Sequence, residues 1–287
     1  MPSTIKAGFA ALRQNLEITD LQSETVSTRQ ENVRAAVEDG LTVLTSFQAG
    51  SYARSTMVAP LKEADIDIMM ILDAKHFPQY TPAKLLDRVR TILLKEFPNT
   101  PKISRNGQAV TITFSAFKVD VVPGYYRSGG GYLIPNSTIN QWIATDPTKH
   151  AELMTAENKV HNGELVPLVK MIRAWNRNIN HAFKGFYLEL MTTRVLQGVT
   201  ITDFSSGVRY VFDKGRETVK FKQHDPAGFG DQIDPLDTVR TVEDAVSRFT
   251  TAYSRAVKAE QLAANGKIGD AFDEWRKIFG DYFPAYS

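Results

Sequence analysis

Cysteine is absent from the 287 residues, which excludes a disulfide scaffold, a thiol nucleophile and Cys-ligated zinc, and leaves the redox compartment open. Histidine is scarce. His76, His150, His161, His181 and His224 show neither an HxxxH spacing nor another zinc pairing, so no zinc-dependent DNA binding is expected. No run of about 18 uncharged apolar residues occurs to cross a bilayer, and the opening MPSTIKAGFAALRQ lacks the apolar stretch of a signal peptide. A soluble, cytoplasmic protein with no membrane partner is the expectation. An excess of either charge is missing too: 34 Lys+Arg against 32 Asp+Glu leave a net charge of +2, so any grip on phosphate must be local.

What is present suffices for a folded chain of about two domains, with 43% hydrophobic and 23% charged residues. Apolar residues from Leu12 to Leu44 recur with a loose helical period, which predicts a long N-terminal helix, or two. Ala64 to Leu72 (ADIDIMMIL) and Ala109 to Val122 (AVTITFSAFKVDVV) read as strands, and Pro82 to Phe97 between them as a helix. Glycines and prolines gather from Pro123 to Pro147, the signature of a mobile segment with a domain boundary soon after it. Beyond it, Glu164 to Asn178, Phe183 to Leu196 and Asp237 to Leu262 have helical spacing, while Val208 to Phe212 and Thr218 to Phe221 look strand-like. On that reading Lys214, Arg216, Lys220 and Lys222 form a short basic strand face, and Trp175 belongs to a helical core.

The chemistry concentrates in the front half. Asp65 and Asp67 are two apart in a strand, so they share one face while Ile66 and Ile68 point inward. Carboxylates side by side repel unless a cation sits between them, and Mg²⁺ takes carboxylate, phosphate and water oxygens. Asp120 lies in the second strand of the same character, between Val119 and Val121, and three acids on adjacent strands can form a two-metal site. Taken alone, Asp-x-Asp is also what the wet face of any amphipathic strand looks like. Upstream, however, Gly50-Ser51 follows an apolar run (LTVLTSFQAGSYARS), where glycine allows close backbone approach and serine offers a hydroxyl to a phosphate.

The ordered set AGSYARST, EADIDIMMIL and FKVDVVPGY resembles the polymerase-β-type nucleotidyltransferases, and within them the cGAS/DncV-like enzymes (CD-NTases) of bacterial CBASS antiphage signalling. LVPLVKMIRAWN, FKGFYLELM, WIATDPTKH, DPAGFGDQID and DEWRKIFGDYFP extend the resemblance over nearly the whole chain. It implies an α+β fold: a nucleotidyltransferase core with a long N-terminal helix over residues 1–157, and a mainly helical second domain over 158–287. It implies synthesis of a cyclic di- or trinucleotide second messenger from NTPs, ATP among them, with Asp65, Asp67 and Asp120 holding two Mg²⁺ (or Mn²⁺) ions and Gly50 and Ser51 on the donor triphosphate. Lys170 falls where the family places a phosphate-binding lysine, and Phe186 where relatives stack an aromatic ring on the donor base. A surface lysine and a core aromatic are the plain alternatives. Gly185 replaces a serine frequent in relatives, so its N–H or Lys184 would serve the triphosphate instead. The resemblance further implies an effector activated by the product, and a regulatory protein as a partner. RNA 3′-end addition, protein AMPylation and linear oligonucleotide synthesis are the alternatives on the same fold.

Overall fold

The computed structural model describes residues 2–100, 102–230 and 232–287. They fall into two compact units, one of Ile18–Leu153 with Asp225–Gly230, the other of residues 2–17, Met154–His224 and 232–287. Against the expected division at 157/158, residues 2–17 belong with the helices of the second unit.

Of the expected long N-terminal helix, or two, the structure has two, α1 (Ile5–Asn15) and α2 (Asp20–Glu38). A capping box separates them. The Thr19 hydroxyl accepts the Gln22 N–H while the Gln22 side chain accepts the Thr19 N–H, which starts a new helix where a hydrophobic period alone runs on. In the α/β unit the chain continues through β1 (Val43–Gln48), a single helical turn α3 (Gly50–Ala53), β2 (Asp65–Leu72) and α4 (Pro82–Glu96). Helix α4 starts as its sequence dictates, with Thr81 as N-cap and Pro82 in the first turn. Strands β3 (Lys102–Asn106), β4 (Ala109–Thr113) and β5 (Lys118–Tyr126) follow. The expected strand over 109–122 is thus a hairpin: the chain turns at residues 114–117, where the Phe114 N–H reaches the Phe117 carbonyl.

Glycine-rich residues 123–147 are not a mobile segment. They complete β5 and form β6 (Tyr132–Asn136) and β7 (Gln141–Thr145). The glycines serve close approach: a Cβ on Gly124 would lie 2.9 Å from the Leu133 carbonyl oxygen, and one on Gly131 2.8 Å from that of Thr145. The main sheet runs β1-β2-β5-β4-β3, with β2 and β5 parallel and the other neighbours antiparallel. Its apolar face, with Ile66, Ile68, Val119 and Val121, packs against Val33 and Val37 of α2 and Leu85 and Val89 of α4.

Helix α5 (Pro147–Val160) carries the chain onward, and the helical unit then contains α6 (Leu165–Asn178), α7 (Gly185–Val195), α8 (Phe204–Thr218), α9 (Val242–Ala264) and α10 (Ile268–Phe279). Helix α8 replaces the strand expected at 208–212, and the strand expected at 218–221 is the end of that helix and the turn after it. Alternation in VRYVF imitates a strand, but the buried residues Val208, Val211, Phe212 and Gly215 follow a 3.6 period, and Asp203 caps the helix by accepting the Ser206 N–H at 2.9 Å. The basic strand face is therefore dispersed: Lys214 and Arg216 sit on α8, and Lys220 and Lys222 pair with Glu217 and Asp234 beyond it.

Trp175 is buried as expected, 4.8 to 5.5 Å from the rings of Phe183, Phe212 and Phe249. Next to it, buried Asn176 closes the turn into α7: its amide donates to the Phe183 carbonyl at 2.7 Å, and its oxygen accepts the Phe183 N–H at 3.0 Å. Replacing Asn176 by Ala strands both backbone groups, at about 1–3 kcal/mol each. Urea unfolding followed by tryptophan fluorescence, to which Trp175 and Trp275 of this unit and Trp142 of the other contribute, is expected to shift to a lower midpoint. An unmoved midpoint would deny Asn176 this role.

Candidate active site

The parallel pairing of β2 and β5 places Asp67 opposite Asp120 and Asp65 opposite Lys118, so three carboxylates occupy one end of one sheet face. Ile66 and Ile68, fully buried on the opposite face, fix this orientation, since a one-residue slip would drive the acids into the core. Each flanking acid has a local partner. Thr111, opposite Asp120 on β4, donates its hydroxyl to Asp120 Oδ1 at 2.5 Å, and Lys118 Nζ lies 3.8 Å from Asp65 Oδ1. Burial pushes the Asp120 carboxyl pKa up, the Asp65 charge adds to the rise, and Thr111 and Lys118 oppose it.

Gly50 closes the other side of β2. After β1 the Ala49 N–H donates to the Asp67 carbonyl at 2.8 Å, and the chain turns at Gly50 with φ +59°. A Cβ there would stand 1.8 Å from Asp67 Oδ2, so both the left-handed backbone and the carboxylate require glycine. Ser51 follows at once, its carbonyl accepting the N–H groups of Thr56 and Met57 at 2.9 and 3.1 Å. Gly50, Ser51, Asp65, Asp67 and Asp120 are thereby brought to one edge of the sheet.

Among the described residues no three histidine or acidic side chains converge closely enough to hold a metal ion as placed. Asp65 leans to Lys118 and Asp120 to Thr111. The donor set nevertheless suits a hard divalent cation: it is all carboxylate oxygen, and burial, with the Asp65 charge adding to it, raises the proton affinity of Asp120, which a bound cation would offset.

The other expected residues belong to the helical unit. Lys170 on α6 is not a surface lysine. It is 5% exposed, and its ammonium meets the Glu17 carboxylate at 2.5 Å. Lys184 is exposed at the N-cap of α7, Gly185 opens that helix, and Phe186 is half-buried. The Arg173 guanidinium lies against Gly185, where a Cβ would come within 3.3 Å of it, and bonds to fully buried Glu189 at 2.6 Å. Four partners escaped the sequence reading: Thr111, Lys118, Glu17 and Glu189. The first two carried a signal, because the two-residue period of AVTIT and KVDVV puts Thr111 and Lys118 on the face of Asp120.

Residues 3–158, more than half of the chain, match the Second Messenger Oligonucleotide or Dinucleotide Synthetase (SMODS) domain. The chain belongs to the SMODS family. That match spans Gly50, Ser51 and all three acids and ends before Lys170. Among similar proteins, the cyclic AMP-AMP-AMP synthase of an Acinetobacter strain is 29% identical over 258 residues, covering 83% of this chain and 72% of the relative. The CBASS oligonucleotide cyclase CdnC of Escherichia coli is 23% identical over 268 residues, covering 86% and 84%. The solved structure of E. coli MS115-1 CdnC with ATP superposes with a TM-score of 0.73 at 19% identity, over 98% of this chain and 99% of that one. Vibrio cholerae DncV cyclic AMP-GMP synthase, in complex with the linear intermediate 5′ pppA(3′,5′)pG, superposes with a TM-score of 0.79 at 13% identity, over 94% and 93%. These likenesses show the nucleotidyltransferase fold, and with SMODS membership the chain is a CD-NTase. Among the described residues no helix is long and apolar enough to cross a membrane.

Gly50→Ala forces a methyl group onto Asp67 and displaces the carboxylate or the Ser51 turn. A misplacement of that order lowers turnover by about 100-fold. Pyrophosphate release from NTPs by the purified variant checks this, and a rate equal to wild type would detach Gly50 from the site.

Proposed function

We propose that this chain joins NTPs, ATP among them, into a cyclic di- or trinucleotide second messenger in antiphage defence, by nucleotidyl transfer at Asp65, Asp67 and Asp120. The observation that carries the reading is the Asp67–Asp120 neighbour pair at the end of β2 and β5, with Gly50 fitted against Asp67. These acids would hold Mg²⁺ or Mn²⁺, which when bound neutralises triphosphate charge and lowers the proton affinity of a ribose hydroxyl.

The chain's own groups set the direction of transfer. Gly50 and Ser51 follow β1, on one flank of β2, and Asp120 with Thr111 occupies the other flank. The bare Gly50 backbone lets the donor triphosphate approach closely, and the Ser51 hydroxyl donates to one of its oxygens. Pyrophosphate therefore departs on the Gly50 flank. Attacking and leaving oxygens lie roughly in line across phosphorus, so the acceptor hydroxyl comes from the Asp120 flank, where Thr111 keeps the carboxylate oriented. The ribose oxygen bonds to the α-phosphorus, the α–β bridge breaks, and the hydroxyl proton is lost to water. In the helical unit, Lys184 and the Gly185 N–H are the proposed phosphate ligands and Phe186 the stacking surface for the donor base. Lys170 reaches a phosphate only by exchanging Glu17 for it.

The product acts through an effector that binds it, and a regulatory protein governs synthesis. E. coli MS115-1 CdnC, superposing with a TM-score of 0.73, has been solved in complex with HORMA-deltaN. Incubating the chain with labelled ATP, the other NTPs and Mg²⁺ or Mn²⁺ is expected to give a phosphatase-resistant product of two or three nucleotides, identified by mass. Ring closure expels the last 5′-triphosphate as pyrophosphate and leaves only diesters. Products that all lose phosphate to phosphatase, or label found only on added RNA or protein, would overturn the cyclase reading.

A further inference from the structure

On the acid-bearing face, the sheet register continues past Asp120 as two rows of polar residues. The first runs Asp67, Asp120, Thr111 and Ser104 across β2, β5, β4 and β3. The second, two residues along the strands, runs Asp65, Lys118, Thr113 and Lys102. Register partners share a face, so the carboxylates give way outward to hydroxyls and then to a lysine. A cavity of about 400 Å³ opens over these rows, lined by residues from both.

The charge order across this shelf is informative. Lys118 faces Asp65 and Thr111 is committed to Asp120, but exposed Lys102 has no carboxylate partner among the described residues, and the Ser104 and Thr113 side chains make no recorded hydrogen bond among them. Neighbouring strands lie about 4.8 Å apart, so Lys102 stands roughly 10 Å across the sheet from the Asp120 strand. A shelf with hydroxyls beside the acids and a free cation at its rim matches a nucleotide whose ribose hydroxyl is at Asp120 and whose own phosphates trail outward. This shelf is on the flank from which the acceptor arrives, opposite the Gly50 turn.

We propose that Lys102 and Ser104, with Thr113 and Lys118, form the subsite for the 5′-triphosphate of the acceptor nucleotide. The proposal rests on the nucleotidyl-transfer reading above and extends it to a second substrate. The donor loses its pyrophosphate on the Gly50 side, while the acceptor keeps its triphosphate through the first bond. That triphosphate carries several negative charges next to three carboxylates, and unless cations meet it, like-charge repulsion opposes binding. Lys102 and Lys118 supply them without touching the donor. The shelf thereby favours a nucleoside triphosphate over an uncharged nucleoside as attacking partner, which keeps a triphosphate on the linear product for the ring-closing step.

The test separates the two substrates. 2′,3′-Dideoxy-ATP labelled at the α-phosphate serves as donor, since it has no hydroxyl with which to attack, and ATP or adenosine serves as acceptor. Wild type is expected to prefer ATP, and Lys102→Ala to lower the ATP-to-adenosine ratio of kcat/KM roughly ten-fold, the loss of one charge-assisted hydrogen bond. Lys102→Arg restores the ratio and Lys102→Glu lowers it further. Because Lys102 is exposed, these variants fold, which their thermal midpoints verify. A ratio unmoved by Lys102→Glu, an equal loss with both acceptors, or a wild type indifferent to the acceptor's phosphates would overturn the subsite. Wild type that moves no label to any acceptor, and releases no pyrophosphate from the four NTPs, would remove the transfer reading and this proposal with it.

Discussion

Like charges held together against their repulsion organise this protein. Asp67 and Asp120 are neighbours across a parallel strand pair, with Asp65 one pleat away, and Thr111 and Lys118 stand beside Asp120 and Asp65. Such an arrangement lowers stability, and it persists because the buried isoleucines on the opposite face leave β2 no other register. The same constraint explains Gly50. The carboxylate of Asp67 fills the space that a side chain at position 50 would need, so the turn after β1 and the acid on β2 are one feature. Sheet order then distributes function: the Gly50 turn on one flank, and Asp120 with the polar rows beyond it on the other.

The helical unit uses charge differently. Lys170 is nearly buried, whereas its partner Glu17 is half exposed, so the ammonium bears most of the desolvation cost and depends on the carboxylate. Arg173 and Glu189 are a second such pair, with Glu189 wholly inside. The first ties the link between α1 and α2 to α6, and the second ties α6 to α7 beside the turn that Asn176 closes. The residues that resemblance assigns to phosphate and base at Lys184–Phe186 begin a helix anchored by these internal contacts.

The acids were legible in the sequence because a strand's two-residue period fixes which side chains share a face, and because Gly50-Ser51 precedes them at short range. Helices α4, α6 and α7 were legible from their apolar spacing and, for α4, from Pro82 at its start. Legibility failed where one signal imitates another. VRYVF alternates like a strand yet belongs to α8, and the glycines of 123–147 suggest mobility where they permit strands to approach. It failed also where partners are remote: nothing near Lys170 announces Glu17, 153 residues away. Thr111 lay open to the same period-two reasoning that found Asp120, once the 109–122 run is divided into a hairpin.

The central claim is that the acid cluster exists for transfer chemistry and not for the fold, and Asp67→Asn tests it most directly, since amide for carboxylate keeps the shape and removes the charge. The measurement is pyrophosphate release from NTPs in Mg²⁺, made on protein whose circular dichroism spectrum matches that of wild type. The account predicts no detectable release. Turnover at the wild-type rate would contradict it.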